Sequence, residues 1–480
     1  MSSSVPTLHH SRTATPLPQQ DELALAIDRA AGARRVGGNR LEHFADSPRA
    51  LDAMLALITR AERWVHLENY IIRGDRTGQR FAEALMERAQ AGVRVRVLYD
   101  GLGSVGTSRA FWNRLRKAGV DVRAFHPILS WRVSEIVSRD HRKLLVVDGA
   151  QATLGGLCIG DEWAGDPERH RRAWRDTVVG IAGPAVPVLD AAFASTWRRA
   201  GPDLPNDEQS ADPEPCGGSS VRIIQGIPRR ARVYRAVELL AASAAERLWI
   251  TDAYLVAPAP LYASLIDAAR SGVDVRLLVP GTSDLPVLRY LTRVGYRELL
   301  HRGVRIFEFQ GPMIHAKTML VDHRWARVGS TNLNVSSLLT NFELDLLAEG
   351  EELCDALASQ FRRDLSASRE IVLQRRRRLP ARLVGAPAES PPDTPEQPSS
   401  HKRTRYELGA VALVVVRRVA GGIRRGIAAT GALVFAGLGT LLLIFPRIMG
   451  IIFAILAYVV ALALGLYAVE RRRSREDDGL

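Results

Sequence analysis

Two blocks of this chain carry residues whose types and spacing could do chemistry on a phosphate. HRKLLVVDGAQATLGGLC begins at His141, and HAKTMLVDHRWARVGSTN begins at His315. Both read His-x-Lys, four residues, Asp, six residues, then Gly and a small residue. This sets His141, Lys143, Asp148, Gly155 and Gly156 beside His315, Lys317, Asp322, Gly329 and Ser330. The second block closes on Asn332, where the first has Cys158. LLVV and TMLV read as strands, so each His and Lys, two apart, points to one face. Each Asp falls on the opposite face. Asp148 and Asp322 are therefore expected to be structural, closing a turn or pairing with a nearby basic group.

A His beside a Lys suits a phosphate, because Lys offers a point charge with three donors. The glycine-small pairs would let the backbone approach closely, and the Asn332 amide could donate to a phosphoryl oxygen. If the two blocks face each other across a pseudo-two-fold axis, they surround one anion. One His then attacks phosphorus, giving a phosphohistidine. The other protonates the leaving alkoxide and deprotonates the incoming hydroxyl. The lysines and Asn332 stabilise the non-bridging oxygens. Such a site needs no metal and no cofactor, and the chain carries no carboxylate cluster suited to magnesium or calcium. A thiol is a poor donor, so the Cys158 side is expected to hold phosphate less well.

The elements that position these blocks are themselves repeated. AERWVHLENYII from Ala61 is echoed by AERLWITDAYLV from Ala245, GVRVRVL from Gly92 by GVDVRLL from Gly272, and AGVDVRAF from Ala118 by RGVRIFEF from Arg302. With the His-x-Lys blocks these make four landmarks in one order, so the chain reads as two copies of one unit. Strand signals alternate with helical spacing in each, as in GQRFAEALMERAQAG ending at Gly92, which predicts an α/β sandwich around a mixed sheet. The expected organisation is a disordered 1–20, repeat one over 21–200, a surface linker over 201–220, repeat two over 221–380 and a Pro-rich linker over 381–404. A basic juxtamembrane segment with two membrane helices completes it over 405–480.

Residues 427–445 and 448–469 are uncharged apolar runs of 19 and 22 residues split by Pro446 and Arg447, each long enough to cross ~30 Å of hydrocarbon. They read as a spanning pair or as a hairpin that enters and leaves one leaflet. Arg417, Arg418, Arg424 and Arg425 precede them and Arg471, Arg472, Arg473 and Arg475 follow. That bias places both termini and the catalytic part in the cytoplasm, at a bacterial inner membrane. The chain's 480 residues imply two or three domains, and its net charge of +13 implies anionic partners. Three cysteines without metal-type spacing point to unpaired thiols.

The chain resembles the phospholipase D superfamily in its two-motif form, and within it the bacterial cardiolipin synthases. HLENYII from His66, DHRKLLVVDG from Asp140, GGLCIGDEW from Gly155, WRDTVVGIAGPAV from Trp174, IHAKTMLVDHRWARVGSTNLN from Ile314 and NFEL from Asn341 carry this resemblance. It implies phosphatidyl transfer by a ping-pong route, with His141 as nucleophile and His315 as acid and base. It also implies a downstream carboxylate orienting each His, at Asp176 and Glu343. Cys158 and Ser336 depart from the family, which has Asn and often Arg there. Glu68, within HLENYII, is a further candidate without an assigned role.

The expected function is therefore a membrane-associated phosphatidyltransferase that condenses two phosphatidylglycerols into cardiolipin and glycerol on an anionic membrane surface. A hydrolase or headgroup exchanger would share the intermediate and differ only in its acceptor. A nuclease fits the charge but not the apolar tail. A non-catalytic membrane protein has only Cys158 in its favour.

Overall fold

The computed structural model describes residues 20–127, 138–166, 168–208, 210 and 213–373. Among these, no helix is long and apolar enough to cross a membrane. The expected spans at 427–445 and 448–469, the Pro-rich linker and residues 1–19 lie outside them.

The first repeat supplies β1 (Val36–Phe44), β2 (Trp64–Asn69), β3 (Arg94–Asp100), β4 (Asp121–Phe125), β5 (Lys143–Val147), β6 (Gln151–Gly155) and β7 (Val178–Ala182). The second supplies β8 (Ser219–Gly226), β9 (Arg247–Thr251), β10 (Asp274–Pro280), β11 (Arg305–Phe309), β12 (Thr318–Val321), β13 (Trp325–Gly329), β14 (Glu343–Glu349) and the edge strand β15 (Ser368–Ile371). All join one sheet. From β1 outward the order is β7, β6, β5, β2, β3, β4; from β8 outward it is β14, β13, β12, β9, β10, β11, β15. The two halves thus run in corresponding order from the antiparallel β1–β8 seam, where Val36 faces Val221. β2, β3 and β4 are parallel, as are β9, β10 and β11. Parallel neighbours need crossover helices, here α1 (Arg76–Gln90), α2 (Arg109–Lys117), α3 (Ala259–Arg270) and α4 (Pro286–His301).

Two further helices, Val186–Trp197 and Glu351–Ser366, feed a central core that draws on both repeats. Leu144, Val179, Phe193 and Trp197 pack in the same cluster as Ile314, Leu320, Leu346 and Phe361. Each half also has its own core beneath its crossover helices. The shared core matters for the site, because it fixes the two His-x-Lys strands relative to each other.

The 201–220 segment, expected as a surface linker, is pinned to the first repeat. A turn of 3-10 helix at Asn206–Glu208 carries Glu208 into the interior. There it accepts from Arg96 and lies 3.3 Å from His66 Nε2, while His66 Nδ1 is 2.6 Å from Asp190. Burial opposes charge on this imidazole, but the two acids outweigh it and raise its pKa.

Candidate active site

Asp148 and Asp322 stand in the turns of the β5–β6 and β12–β13 hairpins, at φ of 56° and 51°, a left-handed conformation that Asp tolerates better than most residues. Asp148 accepts the backbone N–H groups of Glu62, Arg63 and Trp64. Asp322 accepts those of Ala245, Glu246 and Arg247. Each carboxylate therefore ties its hairpin to the start of the adjoining strand and faces away from the histidines.

His141 and His315 sit just before β5 and β12. The chain leading into each is bonded to the other repeat. His141 donates its backbone N–H to Phe342 at 2.9 Å, and His315 donates to Arg175 at 2.7 Å. Those acceptors directly precede Glu343 and Asp176. The side chains follow the same crossing. His141 Nδ1 lies 3.0 and 3.1 Å from the two Glu343 oxygens, and His315 Nδ1 lies 2.8 Å from Asp176 Oδ2. Each imidazole is oriented by a carboxylate of the opposite repeat, and both pairs are buried. An Nδ1–H held this way leaves Nε2 as the basic nitrogen.

The two Nε2 atoms are not equivalent. Lys317 Nζ is 2.9 Å from His315 Nε2. Among the described residues, no protein group donates to His141 Nε2. Both lysines also fold back to the carbonyl of their own histidine. Burial, then the Lys317 charge, pushes the His315 pKa down to about 4. Burial, reinforced by Lys143, also lowers His141 although Glu343 opposes it. Burial depresses Lys317 to about 8, with Lys143 adding repulsion and Asp176 opposing. Against the raising effect of burial, His141 and Lys143 hold Glu343 below the usual carboxylate range, and His315 and Lys317 do the same for Asp176. Burial and the neighbouring lysines thus push both imidazoles toward their neutral forms.

The glycine-small pairs serve a different end from the one their sequence suggests. A Cβ on Gly156 would stand 2.3 Å from Asp176 Oδ1, and one on Gly329 1.7 Å from Asp345 Oδ1. A Cβ on Gly155 would stand 2.2 Å from the Thr177 carbonyl. The close approach at these positions is that of the neighbouring strand and its carboxylates. Ser330 donates to Glu343 and accepts from the Leu344 backbone, so it positions the carboxylate. Trp163 and the Thr177 N–H do so for Asp176.

Asn332 is buried, and its Oδ1 has no protein partner among the described residues, so one end of the amide is uncommitted. Cys158 is wholly buried among the apolar residues of the first repeat, and burial pushes its thiol pKa up. Glu68 is wholly buried beside Arg142 and Asp140, and burial raises its pKa. Its repeat counterpart Asp252 accepts the Leu333 and Tyr254 N–H groups and is pushed up to about 6 by burial.

Two tyrosines, Tyr70 and Tyr254, also border the histidines. The Tyr70 ring meets His141 edge-on at 4.8 Å and lies 5.0 Å from Lys143 Nζ. Tyr254 stands 5.9 Å from both His315 and Lys317. Both occupy one position of the aligned repeat, AERWVHLENY and AERLWITDAY, and that coincidence was the available signal.

The family model described as "Cardiolipin synthase, PLD-like domain" matches residues 54–161 and 238–365. A cardiolipin synthase of Geobacillus kaustophilus is 34% identical over 339 residues, 69% of this chain and 67% of that protein. The chain belongs to this cardiolipin synthase family. Another member, cardiolipin synthase A of Pseudomonas putida, is 32% identical over 70% of each chain. The chain spans about two thirds of the length of these relatives. Among solved structures, phosphatidylserine synthase of Haemophilus influenzae matches with a TM-score of 0.56 over 73% of this chain and 92% of that one. At 14% identity this is a likeness of fold.

Proposed function

We propose that the protein is a phosphatidyltransferase that makes cardiolipin from two phosphatidylglycerols. The observation that carries this reading is the pair of crossed histidine–carboxylate contacts, with a lysine beside each histidine. His141 Nε2, open and basic, attacks the donor phosphorus. A P–N bond forms and the P–O bond to the glycerol headgroup breaks. Glu343 stabilises the positive charge that the ring acquires. The leaving alkoxide takes a proton from His315, which is left neutral and ready to act as base in the second half-reaction. An anionic phosphate in the site favours protonated His315, offsetting the depression seen without it. The hydroxyl of a second phosphatidylglycerol then gives its proton to His315 while its oxygen attacks phosphorus. The P–N bond breaks, His141 is restored, and the products are cardiolipin and glycerol. Lys143, Lys317 and Asn332 hold the non-bridging oxygens throughout.

On this reading the enzyme works at the inner membrane of a bacterium, with its catalytic part in the cytoplasm and the 427–469 region as anchor. The test is expression in cells lacking cardiolipin, with lipids measured by mass spectrometry. New cardiolipin is expected from the wild type and none from His141→Ala or His315→Ala. No product from the wild type, or equal product from both variants, contradicts it.

A further inference from the structure

Among the described residues ten large apolar side chains are well exposed, and seven of them lie on segments that bond to the two active-site tyrosines or directly follow residues that do. In the first repeat, the loop between β3 and α2 exposes Leu102 and Val105, the latter 62%. This loop lies on Tyr70. Ser104 Oγ donates to the Tyr70 carbonyl at 3.2 Å, and a Cβ on Gly103 would stand 2.8 Å from the Tyr70 ring. In the second repeat, Tyr254 donates to Asp284 at 2.7 Å. Leu285 follows and is exposed, and α4 then exposes Tyr290 at 70%, Leu291, and Val294 at 62%. Nearby Val335 is exposed just after Asn334, whose amide donates to the Tyr254 carbonyl.

Helix α4 has an ordinary inner face. Thr292, Tyr296 and Leu299 are buried at helical spacing. Its outer face should then be polar, but Tyr290 and Val294 are one turn apart there and lead to the exposed Arg297. Arg109, exposed at the start of α2, plays the same part beside Val105. Exposed Arg229 and Arg230 add charge beside Leu339, the acceptor of the Arg229 N–H. Apolar side chains backed by arginines, one group per repeat, flank the two-histidine site. Two small apolar groups, each beside exposed arginines (Arg109 in one repeat, Arg229, Arg230 and Arg297 in the other), match the chemistry of an anionic lipid surface. A partner protein would more often meet one continuous apolar face.

We propose that Leu102 and Val105 of one repeat and Leu285, Tyr290 and Val294 of the other enter the interface of an anionic bilayer and seat the two-histidine site on it. This rests on the reading of the site as acting on phospholipids, and it assigns to the catalytic part a contact of its own, apart from any anchor at 427–469.

Two measurements on the full chain test it. The first needs no turnover. Tyr290→Trp adds an indole on α4, and its added fluorescence is read against wild type on vesicles of phosphatidylglycerol with brominated acyl chains. Quenching of the added signal is expected; its absence overturns the proposal. If quenching occurs and the wild type transfers no phosphatidyl groups, the docking stands and the proposed function falls. The second compares long-chain phosphatidylglycerol in vesicles with dihexanoyl phosphatidylglycerol dispersed as monomers. Y290D/V294D is expected to lose about tenfold or more on vesicles and to stay within about twofold of wild type on monomers. Equal activity on vesicles, equal loss on both substrates, or a loss that tracks a change of oligomeric mass in light scattering would refute it. The last outcome would make the face a contact between copies of this chain.

Discussion

Replacing Glu343 by Gln tests whether the second repeat drives the chemistry of the first. Glu343 lies 202 residues from His141 in sequence but holds its Nδ1 with both oxygens at 3.0 and 3.1 Å. Ser330 and burial fix the carboxylate. Gln keeps the size and one acceptor, so the imidazole keeps its orientation. What is lost is the negative charge that stabilises the ring as it becomes cationic on bonding phosphorus. A hydrogen bond to a charged group is worth about 1.5–3 kcal/mol. At about 1.4 kcal/mol per decade, kcat should fall roughly 10- to 150-fold. KM for phosphatidylglycerol should change little, because the charge develops only in the transition state. The assay is steady-state cardiolipin formation on vesicles, with thermal unfolding as a check on folding. A folded Glu343→Gln enzyme within about threefold of wild type would refute the account of Glu343 as partner of the nucleophile.

Other perturbations separate the remaining roles. Lys317, depressed to about 8, loses its charge as pH rises through that value, so kcat/KM should fall above about pH 8. Lys317→Arg should keep the charge and move the alkaline limb up by about one pH unit or more; an unmoved limb assigns it to another group. Asp322→Ala removes the acceptor of several backbone N–H groups and should lower stability by about 2–4 kcal/mol. Chemical denaturation reads that loss, and kcat of the folded protein should hold, because the carboxylate faces away from His315. Cys158→Asn should preserve or raise kcat/KM, by up to about tenfold from one added amide contact. A loss beyond tenfold at unchanged Tm would mean that the first block is not half of the phosphate site.

The repeat, the mixed α/β sheet and the two His-x-Lys strands were legible in the sequence because each is written locally, in periodicity and in a spacing that occurs twice. Asp148 and Asp322 were expected off the histidine face by the strand period of two, but β5 and β12 end one residue earlier; it is the left-handed turn and the neighbouring strand's backbone N–H groups that place them. The exchange of carboxylates between repeats was not legible. His141–Glu343 and His315–Asp176 are separated by 202 and 139 residues, and the shared core that joins the halves sets both contacts. Gly155, Gly156, Gly329 and Ser330 read as structural members of the blocks, but what they pack against was not legible. Their sequence says that something approaches closely, but only the packed sheet shows that Asp176 and Asp345 do so. Tyr70 and Tyr254 were written in the repeat, yet an aromatic beside an apolar run reads as core until its ring is seen against an imidazole. Glu208 looked like a linker residue because its partners, His66 and Arg96, lie on distant strands.

The most direct test of the central claim is to catch the covalent intermediate. Wild-type enzyme is mixed with phosphatidylglycerol labelled in its phosphate, quenched by denaturation within a turnover, and digested for mass spectrometry. The account predicts a phosphatidyl group on the His141 peptide, lost in His141→Ala and formed more slowly in Glu343→Gln. An adduct on His315, or transfer to product with no adduct on either histidine, would contradict it.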